Sequence, residues 1–328
     1  MKRLKSPLVH VLCALLTGMA VVGSPAVAQS AFPERPVKIV MPWLDGFPAN
    51  STRLYAKELA DRFKHQFNVE VKSGAGGELA AKQVIQAGGD GYTLLSTGSS
   101  ITIRAVSDPA NADGERDLKP IAQLVTTPYV IVAKTGTFGS FGNFIAYARG
   151  NPGKINFASA GVGTGMHYLG ELLNASLNLQ TVHVPYATGS RQLQAVLAGE
   201  VQVAIISLVT ALPQIRAGQF EALAVSSHKR SRVASQVPTL LELGVKDAPD
   251  IGAWIALFGP RNLEAGAMKV LSERIAAIAA DPAVIETISS WGADVPDTSP
   301  IYLENIIRAE KQTWSRLIKE KNLLEGRK

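Results

Sequence analysis

Three glycines at alternate positions, in the stretch SAGVGTGMH at residues 159–167, are the first feature of this sequence that could do chemistry. Gly161, Gly163 and Gly165 follow the apolar stretch KINFA and precede YLGELLNASL, which has a helical pattern of apolar residues. A glycine-rich turn between a strand and a helix brings backbone N–H groups close to an anion. The stretch therefore predicts an anion site, which a nucleotide phosphate, a catalytic oxyanion or a free carboxylate would fit.

Three further loops share this order of apolar strand, small-residue loop and helix. They are PWLDGFPANS (42–51), SGAGGE (73–78) and TGSS (97–100). In parallel α/β sheets such loops lie at the carboxyl edge of the strands, where ligands bind. We expect loops from two domains to face each other across a cleft. Each helix N-terminus there would contribute about 0.3–1 kcal/mol to anion binding, so several could hold a carboxylate without Arg or Lys.

The spacing of the glycines argues against a nucleotide site. The dinucleotide fingerprint needs Gly-x-Gly-x-x-Gly, whereas position 166 is Met and the third glycine comes one place early. No Gly-Lys-Ser or Gly-Lys-Thr follows the loop, so the P-loop pattern is missing too. A nucleotide cofactor is therefore not predicted.

A hydrolase remains an alternative interpretation of the same loop. It would use the hydroxyl of Ser159 or Thr164 as nucleophile and His167 as base. The sequence contains no Gly-x-Ser-x-Gly elbow, and no carboxylate is placed to orient the histidine. His167, in the first turn of a helix, suits structural support and ligand contact equally well, whereas His183, in a strand, is expected to be structural.

No metal site is predicted, because the histidines match no compact ligand spacing. Those beyond the N-terminal apolar run are His65, His167, His183 and His228. The single cysteine, Cys13, falls in the N-terminal apolar run. Without it the chain has no disulfide, no thiolate nucleophile and no cysteine zinc site.

The N-terminus has the pattern of a secretory signal peptide. Three basic residues among the first five precede a mostly apolar run at 8–22 and the small residues AVA at 26–28. A retained membrane anchor would need a longer apolar run. Cleavage after Ala28 would remove 28 of the 328 residues and three of the 33 Lys and Arg. The remaining 300 residues would carry about +3, with no basic block that suggests nucleic acid.

Alternating strand-like and helix-like segments predict an α/β protein with parallel sheets covered by helices on both faces. Two such series within 300 residues indicate two domains, with crossings near 124–130 and 245–256. The predicted strands are 37–42, 69–71, 92–96, 129–133, 155–158, 181–185, 201–206 and 221–226. The predicted helices are 51–64, 77–87, 140–149, one from the end of the 159–167 loop to about 177, 190–198, 210–217, 261–280, 282–291 and 300–322, the last three wrapping the first domain.

Segments along the whole mature chain resemble the solute-binding receptors of tripartite tricarboxylate transporters, the Bug family. They are FPERPVKIVMPW (32–43), GAGG (74–77), DGYTLL (90–95), NPGKINFASAG (151–161), VHVPY (182–186), LAGEVQVA (197–204), LPQIRAGQFEALAVSS (212–227), VPTLLELG (237–244) and AWIALFGP (253–260). The resemblance implies a non-catalytic periplasmic receptor without cofactor, which closes over a small carboxylated solute and delivers it to a membrane permease.

The resemblance also implies two doubly wound α/β domains with a ligand cleft between them, as in type II periplasmic binding proteins. Residues 29–128 and 250–328 would form domain 1, and residues 129–249 domain 2. The expected carboxylate contacts come from the retained loops. They are Ser73, Ala75, Gly76 and Ser99 in domain 1, with Gly163, Thr164, Gly165 and His167 in domain 2.

One loop departs from the family pattern in a way that bears on the ligand. Where relatives usually have several glycines, this chain has WLDGFPANS, in which Trp43 and Phe47 favour an aromatic or apolar ligand body and Asn50 could donate a hydrogen bond. Many relatives have Asp-Asn where this chain has Ile206 and Ser207. Ile206 disfavours an amino-acid ligand, and Ser207 is expected to floor the site.

Other functions stay open at the level of sequence. A sensor could present its closed form to a histidine-kinase ectodomain, and the effector-binding half of a transcription regulator can share the architecture. The signal peptide and the missing helix-turn-helix oppose the regulator. We expect a monomer that binds a small organic acid and no nucleic acid.

Overall fold

The computed structural model describes residues 32–44, 46–74, 77–107, 116–246 and 248–320. The predicted signal peptide and its cleavage site after Ala28 lie outside these ranges. The strands are β1 Val37–Met41, β2 Phe67–Val71, β3 Thr93–Gly98, β4 Leu118–Lys134, β5 Asn156–Ser159, β6 Val182–Pro185, β7 Val203–Ser207, β8 Phe220–Val225 and β9 Gly252–Pro260.

The helices alternate with the strands up to β8 and then follow β9 as a group. They are α1 Gly46–Phe63, α2 Glu78–Ile85, α3 Ser100–Ser107, α4 Phe141–Gly150, α5 Gly165–Leu177, α6 Gly189–Ala198, α7 Leu208–Arg216, α8 Ala265–Ala279, α9 Pro282–Trp291 and α10 Pro300–Glu320, with a 3-10 turn at Arg232–Ala234. Among the described helices, none is both long enough and apolar enough to span a membrane.

The strands form a mixed sheet in the order β2-β1-β3-β9-β4-β7-β5-β6, with β8 also paired to β4. β1 is parallel to β2 and β3, and β5 is parallel to β6 and β7, as predicted. β4 and β9 pair antiparallel with each other and with their neighbours, so the prediction of purely parallel sheets is wrong at the centre. The chain leaves β1, β2 and β3 along β4 and returns to them along β9, so β4 and β9 run in opposite directions.

β4 passes through the predicted domain crossing as one continuous strand. Residues 118–128 pair with β9, and residues 129–134 pair with β7 and β8. The partner therefore changes between Pro128 and Tyr129. We call the part built on β1, β2, β3, β9 and the start of β4 the first lobe. The part built on β5, β6, β7, β8 and the end of β4 is the second lobe.

Helices cover both faces of the sheet in the first lobe. On one face Ile39 of β1 packs in a cluster with Leu59 of α1 and Leu271 of α8. On the other face Val40 packs with Val84 of α2 and Leu303 of α10. Because successive side chains of a strand point to opposite faces, adjacent residues 39 and 40 serve two different layers.

Helix α10 contacts the first lobe, where it was predicted, and the second lobe as well. Leu303 and Ile307 pack on the first lobe, whereas Trp314 and Leu317 belong to a cluster with second-lobe residues. The Trp314 ring lies 5.6 Å from that of Tyr168 in α5. A helix of 21 residues is about 31 Å long, which is enough to reach from one lobe to the other.

Helix α1 begins at Gly46, five residues before the predicted start, so most of WLDGFPANS is helix rather than loop. Asn50 or Ser51 was the expected N-cap, because such residues often cap helices. The hydroxyls of Ser51 and Thr52 instead donate to the carbonyl oxygens of Phe47 and Pro48, four residues earlier, as inside a helix. Pro48 fits in the first turn, where its missing N–H costs no helical hydrogen bond.

Candidate ligand-binding site

The glycine-rich loop at 159–167 is shaped by its own backbone and by Thr164. Gly161 and Gly163 have φ values of +120° and +83°, which side chains with a Cβ rarely adopt. Thr164 is the N-cap of α5, where its hydroxyl accepts the N–H of His167 at 3.3 Å and donates to the carbonyl oxygen of Gly161 at 2.8 Å. The predicted turn between strand and helix is therefore present.

The loop closes its own N–H groups in this structure, because those of Gly163 and Thr164 have partners within the loop and the first turn of α5. The N–H of Gly163 donates to Nδ1 of His167 at 3.3 Å, and that of Thr164 donates to the Gly161 carbonyl oxygen at 3.3 Å. Nδ1 accepts, so the neutral ring carries its proton on Nε2, which lies 3.9 Å from Oε1 of Glu171. His167 is buried and supports the loop in this conformation.

The structure does not favour the catalytic arrangement in which Ser159 or Thr164 is paired with the His167 ring, because the Ser159 hydroxyl pairs with His183 and the Thr164 hydroxyl accepts the backbone N–H of His167. The Ser159 hydroxyl lies 2.6 Å from Nε2 of His183 and accepts the N–H of Gly161 at 3.1 Å. The rings of His183 and His167 are 4.3 Å apart, and burial lowers the pKa of His183. Ser159 is 0 % exposed, which leaves no path for a substrate to its hydroxyl.

Ser99, Tyr129 and Gly165 meet where the two lobes adjoin, and we call these three residues the junction. The Ser99 hydroxyl lies 3.4 Å from the Tyr129 hydroxyl. A Cβ on Gly165 would lie 2.7 Å from the Tyr129 hydroxyl oxygen and 3.2 Å from Cδ1 of Ile103. Only glycine lets the start of α5 approach so closely. The structure thus brings together Ser99 and Gly165, which the sequence placed on facing loops.

Tyr129 is a site residue that sequence reasoning missed, since it was taken only as the start of a strand. Its position at the predicted domain crossing was the available signal. Its backbone exchanges two hydrogen bonds with Ser226, and burial raises the pKa of its hydroxyl. The hydroxyl therefore stays protonated and can donate at neutral pH.

Ser207 lies beside the junction and opens α7. It is the register partner of Tyr129 in the β4–β7 pair and the N-cap residue of α7. Its hydroxyl lies 2.7 Å from that of Thr210. Ser207 is buried, which suits the predicted floor.

The remaining predicted contacts of the first lobe lie on two neighbouring segments. The Ser73 hydroxyl donates to the carbonyl oxygen of Pro42 at 2.9 Å and so ties the segment after β2 to the segment after β1. Trp43 is half-buried and packs against the core beneath α1. Ala75 and Gly76 lie outside the described residues.

Phe47 and Asn50 line a cavity of about 380 Å³ between α1, α7 and α9. Phe47 is also part of the core, whereas Asn50 is exposed. Trp291 is half-buried and forms part of the cavity wall. We call this space the α1–α7 cavity. Its walls include Phe47, Asn50, Val209, Thr210, Arg216 and Trp291.

A buried carboxyl, Glu310 of α10, adjoins the junction through Thr102. Oε1 of Glu310 accepts the indole N–H of Trp254 at 2.8 Å, and Oε2 lies 2.6 Å from the Thr102 hydroxyl. That hydroxyl also lies 2.8 Å from the carbonyl oxygen of Ser99. Threonine has one hydroxyl proton, so both bonds form together only when Glu310 is protonated and donates. Burial raises the pKa of Glu310 to about 7, consistent with this arrangement.

Sequence reasoning also missed Glu310. The signal was its spacing, because a carboxyl at 310 interrupts the apolar face of α10 formed by Leu303, Ile307, Trp314 and Leu317. In the described ranges, no three His, Cys, Asp or Glu side chains are grouped as metal ligands would be.

The chain is similar in sequence to one family of receptors and to its curated relatives. The family described as tripartite tricarboxylate transporter family receptor matches residues 52–323. A UPF0065 protein of Bordetella pertussis is 30% identical over 319 residues, which cover 93% of this chain and 97% of the relative.

Three solved structures share the fold over nearly their whole length. The periplasmic binding protein BugD has a TM-score of 0.79 and 27% identity, with 89% of this chain and 99% of that one covered. MatC of Rhodopseudomonas palustris, solved with malate, has a TM-score of 0.78 and 28% identity, with 88% and 100% covered. A second R. palustris protein, solved with adipate, has a TM-score of 0.81 and 25% identity, with 89% and 98% covered.

Proposed function

Because this chain belongs to the tripartite tricarboxylate transporter receptor family, we propose that it captures a small carboxylated organic solute by closing its two lobes. It then delivers the solute to a tripartite tricarboxylate-type membrane permease. The family identification and the predicted fold of two doubly wound α/β domains are confirmed, and the family consists of solute-binding receptors. Our proposal adds three points to this: the ligand carries a carboxylate, the lobes close over it, and a permease receives it.

The junction is the observation that carries the carboxylate proposal. The N-terminus of α5 meets hydroxyl groups of both lobes there, namely those of Ser99 and Tyr129, and Ser207 lies alongside. A helix N-terminus favours an anion, and protonated hydroxyls donate to one. These groups could bind a carboxylate without a cationic side chain. Two structural neighbours were solved with dicarboxylates, malate and adipate.

The loop at 159–167 could contribute further donors when ligand arrives. Nδ1 of His167 is a neutral acceptor for the N–H of Gly163. A carboxylate oxygen accepts more strongly, because charge-assisted hydrogen bonds are roughly twice as strong as neutral ones. We propose that ligand replaces His167 as the partner of Gly163, and that Ala75 and Gly76 donate from the first lobe.

Closure would be a hinge motion in which ligand selects the closed state. β4 and β9 supply the connection between the lobes, and β4 changes partner between Pro128 and Tyr129. The junction contains residues from both sides of that change. Ligand held there would therefore contact both lobes.

Thermal unfolding with a panel of small mono-, di- and tricarboxylates, each paired with its neutral amide, tests the proposal. A ligand at one hundred times its dissociation constant adds about 2.7 kcal/mol to the free energy of unfolding, so a binding acid should raise Tm clearly. Amides should give no shift. Native mass spectrometry of freshly purified protein should show a small co-purified acid. No shift across the panel and no co-purified ligand would contradict a carboxylate receptor.

We propose that the chain is exported to the periplasm and cleaved after Ala28. The intact mass of the periplasmic protein should correspond to residues 29–328. Replacing Ala28 by Leu should block cleavage, because signal peptidase needs a small residue there. The mass of an uncleaved chain in the periplasmic fraction of the unaltered protein would contradict this processing.

We propose no turnover of the bound solute. In the loop region the Ser159 hydroxyl pairs with the His183 ring, and Ser159 is fully buried. Activated esters should therefore be hydrolysed no faster by the wild type than by Ser159→Ala. A rate that disappears in Ser159→Ala would overturn the non-catalytic assignment.

A transport role and a sensing role differ in the partner rather than in the site. Deleting the permease genes should abolish uptake of the bound acid if the chain is a transport receptor. Uptake that persists, together with loss of a transcriptional response when a sensor kinase is deleted, would instead identify a sensor component.

A further inference from the structure

We infer that the α1–α7 cavity receives the distal half of the ligand, and that Arg216 selects solutes with a second anionic group at the end of an apolar chain or ring. This inference rests on the proposed function, since it assigns the first carboxylate to the junction. It adds where the distal end of the ligand lies and which residue recognises the group at that end.

The cavity is built by one face of α7 and by two helices of the first lobe. Val209, Leu212, Pro213 and Arg216 follow helical spacing and line the same wall. Trp291 of α9 forms part of the facing wall with Phe47 of α1. The volume of about 380 Å³ lies within the roughly 300–1,000 Å³ of small-molecule sites, which are mostly apolar with a few polar groups.

Two polar residues of α7 line the cavity at opposite ends of the helix. Thr210 is near its start, and Arg216 is its last residue. Six residues of helix separate Thr210 from Arg216, a rise of roughly 9 Å. Between them the wall is apolar, so a bound molecule would have an apolar middle several carbons long.

Arg216 is available to a ligand. It is exposed, and with the residues that the structure describes it makes no ion pair. A guanidinium presents a planar fork of donors that matches a carboxylate in two parallel hydrogen bonds. A purely structural role is the alternative, in which the positive charge of Arg216 stabilises only the C-terminal end of α7. The two roles differ in whether removal of Arg216 lowers the affinity for dianionic ligands.

The cavity adjoins the junction through a short chain of contacts. Thr210 lines the cavity and its hydroxyl bonds that of Ser207. Ser207 pairs in register with Tyr129 of the junction. A ligand whose first carboxylate lies at the junction therefore has the cavity next to it, on the side of α7.

Calorimetric titration with matched acids tests the inference. The pairs are adipate with hexanoate and glutarate with pentanoate, which differ only in the second carboxylate. The wild type should bind each diacid at least about tenfold more tightly than its partner, and Arg216→Gln should remove that preference while leaving the monoacids unchanged. The preference should also shrink as ionic strength rises, because the pair is exposed.

Two further variants separate the cavity from general charge. Arg316→Gln removes another exposed arginine, on α10 and away from the cavity, and should change no affinity. Asn50→Phe places a ring in the cavity and should weaken binding of adipate more than that of malonate, which is too short to need the cavity.

The outcomes are distinguishable. Equal binding of mono- and diacids by the wild type, or an equal loss for both in Arg216→Gln, overturns the role of Arg216 and leaves the receptor proposal standing. Asn50→Phe that weakens all acids equally overturns the distal placement. No binding of any acid by the wild type overturns both the inference and the proposed function.

Discussion

The junction and the α1–α7 cavity lie side by side but are built in opposite ways. At the junction, Ser99, Tyr129 and Gly165 are packed so closely that the position of Gly165 has no room for a methyl group. Neighbouring side chains are hydrogen-bonded too, His167 to the Gly163 N–H and Glu310 to Thr102. In the cavity, exposed Asn50 and Arg216 border an apolar space with room for several carbons.

The contrast separates two tasks of recognition. A tightly bonded junction fixes the position of one functional group and tolerates little change. An open apolar cavity can vary in shape and charge without loss of the fold. We therefore expect substitutions around the junction to lower the free energy of unfolding, and substitutions in the cavity to change ligand preference instead.

Glu310 should produce the largest effect, and it appears as a pH dependence. Folding raises its pKa from 4.5 to about 7. Its favourable contribution is therefore complete below about pH 4.5 and is lost as pH rises through about 7. A shift of this size corresponds to roughly 3 kcal/mol in the free energy of unfolding, which should separate wild type from Glu310→Gln between about pH 5 and pH 8.

Urea unfolding at several pH values measures this difference. Glutamine can still bond Thr102 and Trp254, so Glu310→Gln should lack the alkaline loss. The charge of Glu310 also acts on the Tyr129 hydroxyl, whose pKa it raises further. Glu304→Gln, an exposed change on the same helix, should keep the wild-type profile. Parallel profiles for wild type and Glu310→Gln would show that Glu310 titrates normally.

Gly165→Ala should have the next largest effect, a loss of about 1–3 kcal/mol, because overpacking forces the Tyr129 ring to move. Tyr129→Phe removes the atom at 2.7 Å, so the double variant should lose less than Gly165→Ala alone. Urea unfolding at one pH measures all three. Gly142→Ala in α4 is the matched control, since its Cβ would meet nothing closer than 3.8 Å and alanine favours helix. Equal losses at 142 and 165 would argue against close packing at the junction.

His183 should give a smaller effect of the opposite sign in pH. Burial lowers its pKa below the ordinary 6.5, so its contribution is complete above about pH 6.5 and is lost as pH falls. His183→Gln should reduce the acid sensitivity of unfolding, measured by urea titration between about pH 7 and pH 5. His65→Gln at the end of α1 serves as control. If stability falls with acid in His183→Gln as it does in the wild type, His183 is not the source of the acid sensitivity.

Asn50→Ala should have the smallest effect on stability, within about 0.5 kcal/mol, because the side chain is exposed. Its effect should fall on the order in which acids bind, measured by calorimetry on the same panel. A clear loss of stability, or an unchanged order of affinities, would break the contrast between the cavity and the junction.

Much of the fold could be predicted because its strands and helices have clear periods and boundaries. The bounds of α9 were predicted to the residue, since Asp281, Pro282 and a following glycine mark its ends. The start of α1 was missed because Asn50 and Ser51 resemble capping residues. The antiparallel β4 and β9 were missed because an apolar run does not encode the direction of a strand.

The candidate site was predicted only where it depends on local sequence. The meeting of Ser99 with Gly165 follows from loops at one edge of the sheet. The partners that occupy Gly163 and Thr164 could not be predicted, because they depend on loop geometry. Glu310 and Arg216 come from distant segments, and only tertiary packing brings them to the junction and the cavity.

Helix α10 gives the molecule a mechanical element. One end lies on the first lobe and the other on the second, and Glu310 sits between the two sets of contacts. If the lobes close as proposed, this rod must pivot, and the only buried carboxyl along the described part of it lies near the pivot. Ligand binding at the cleft would then move the C-terminal end of α10, and a spectroscopic reporter attached there could measure closure without contacting the site.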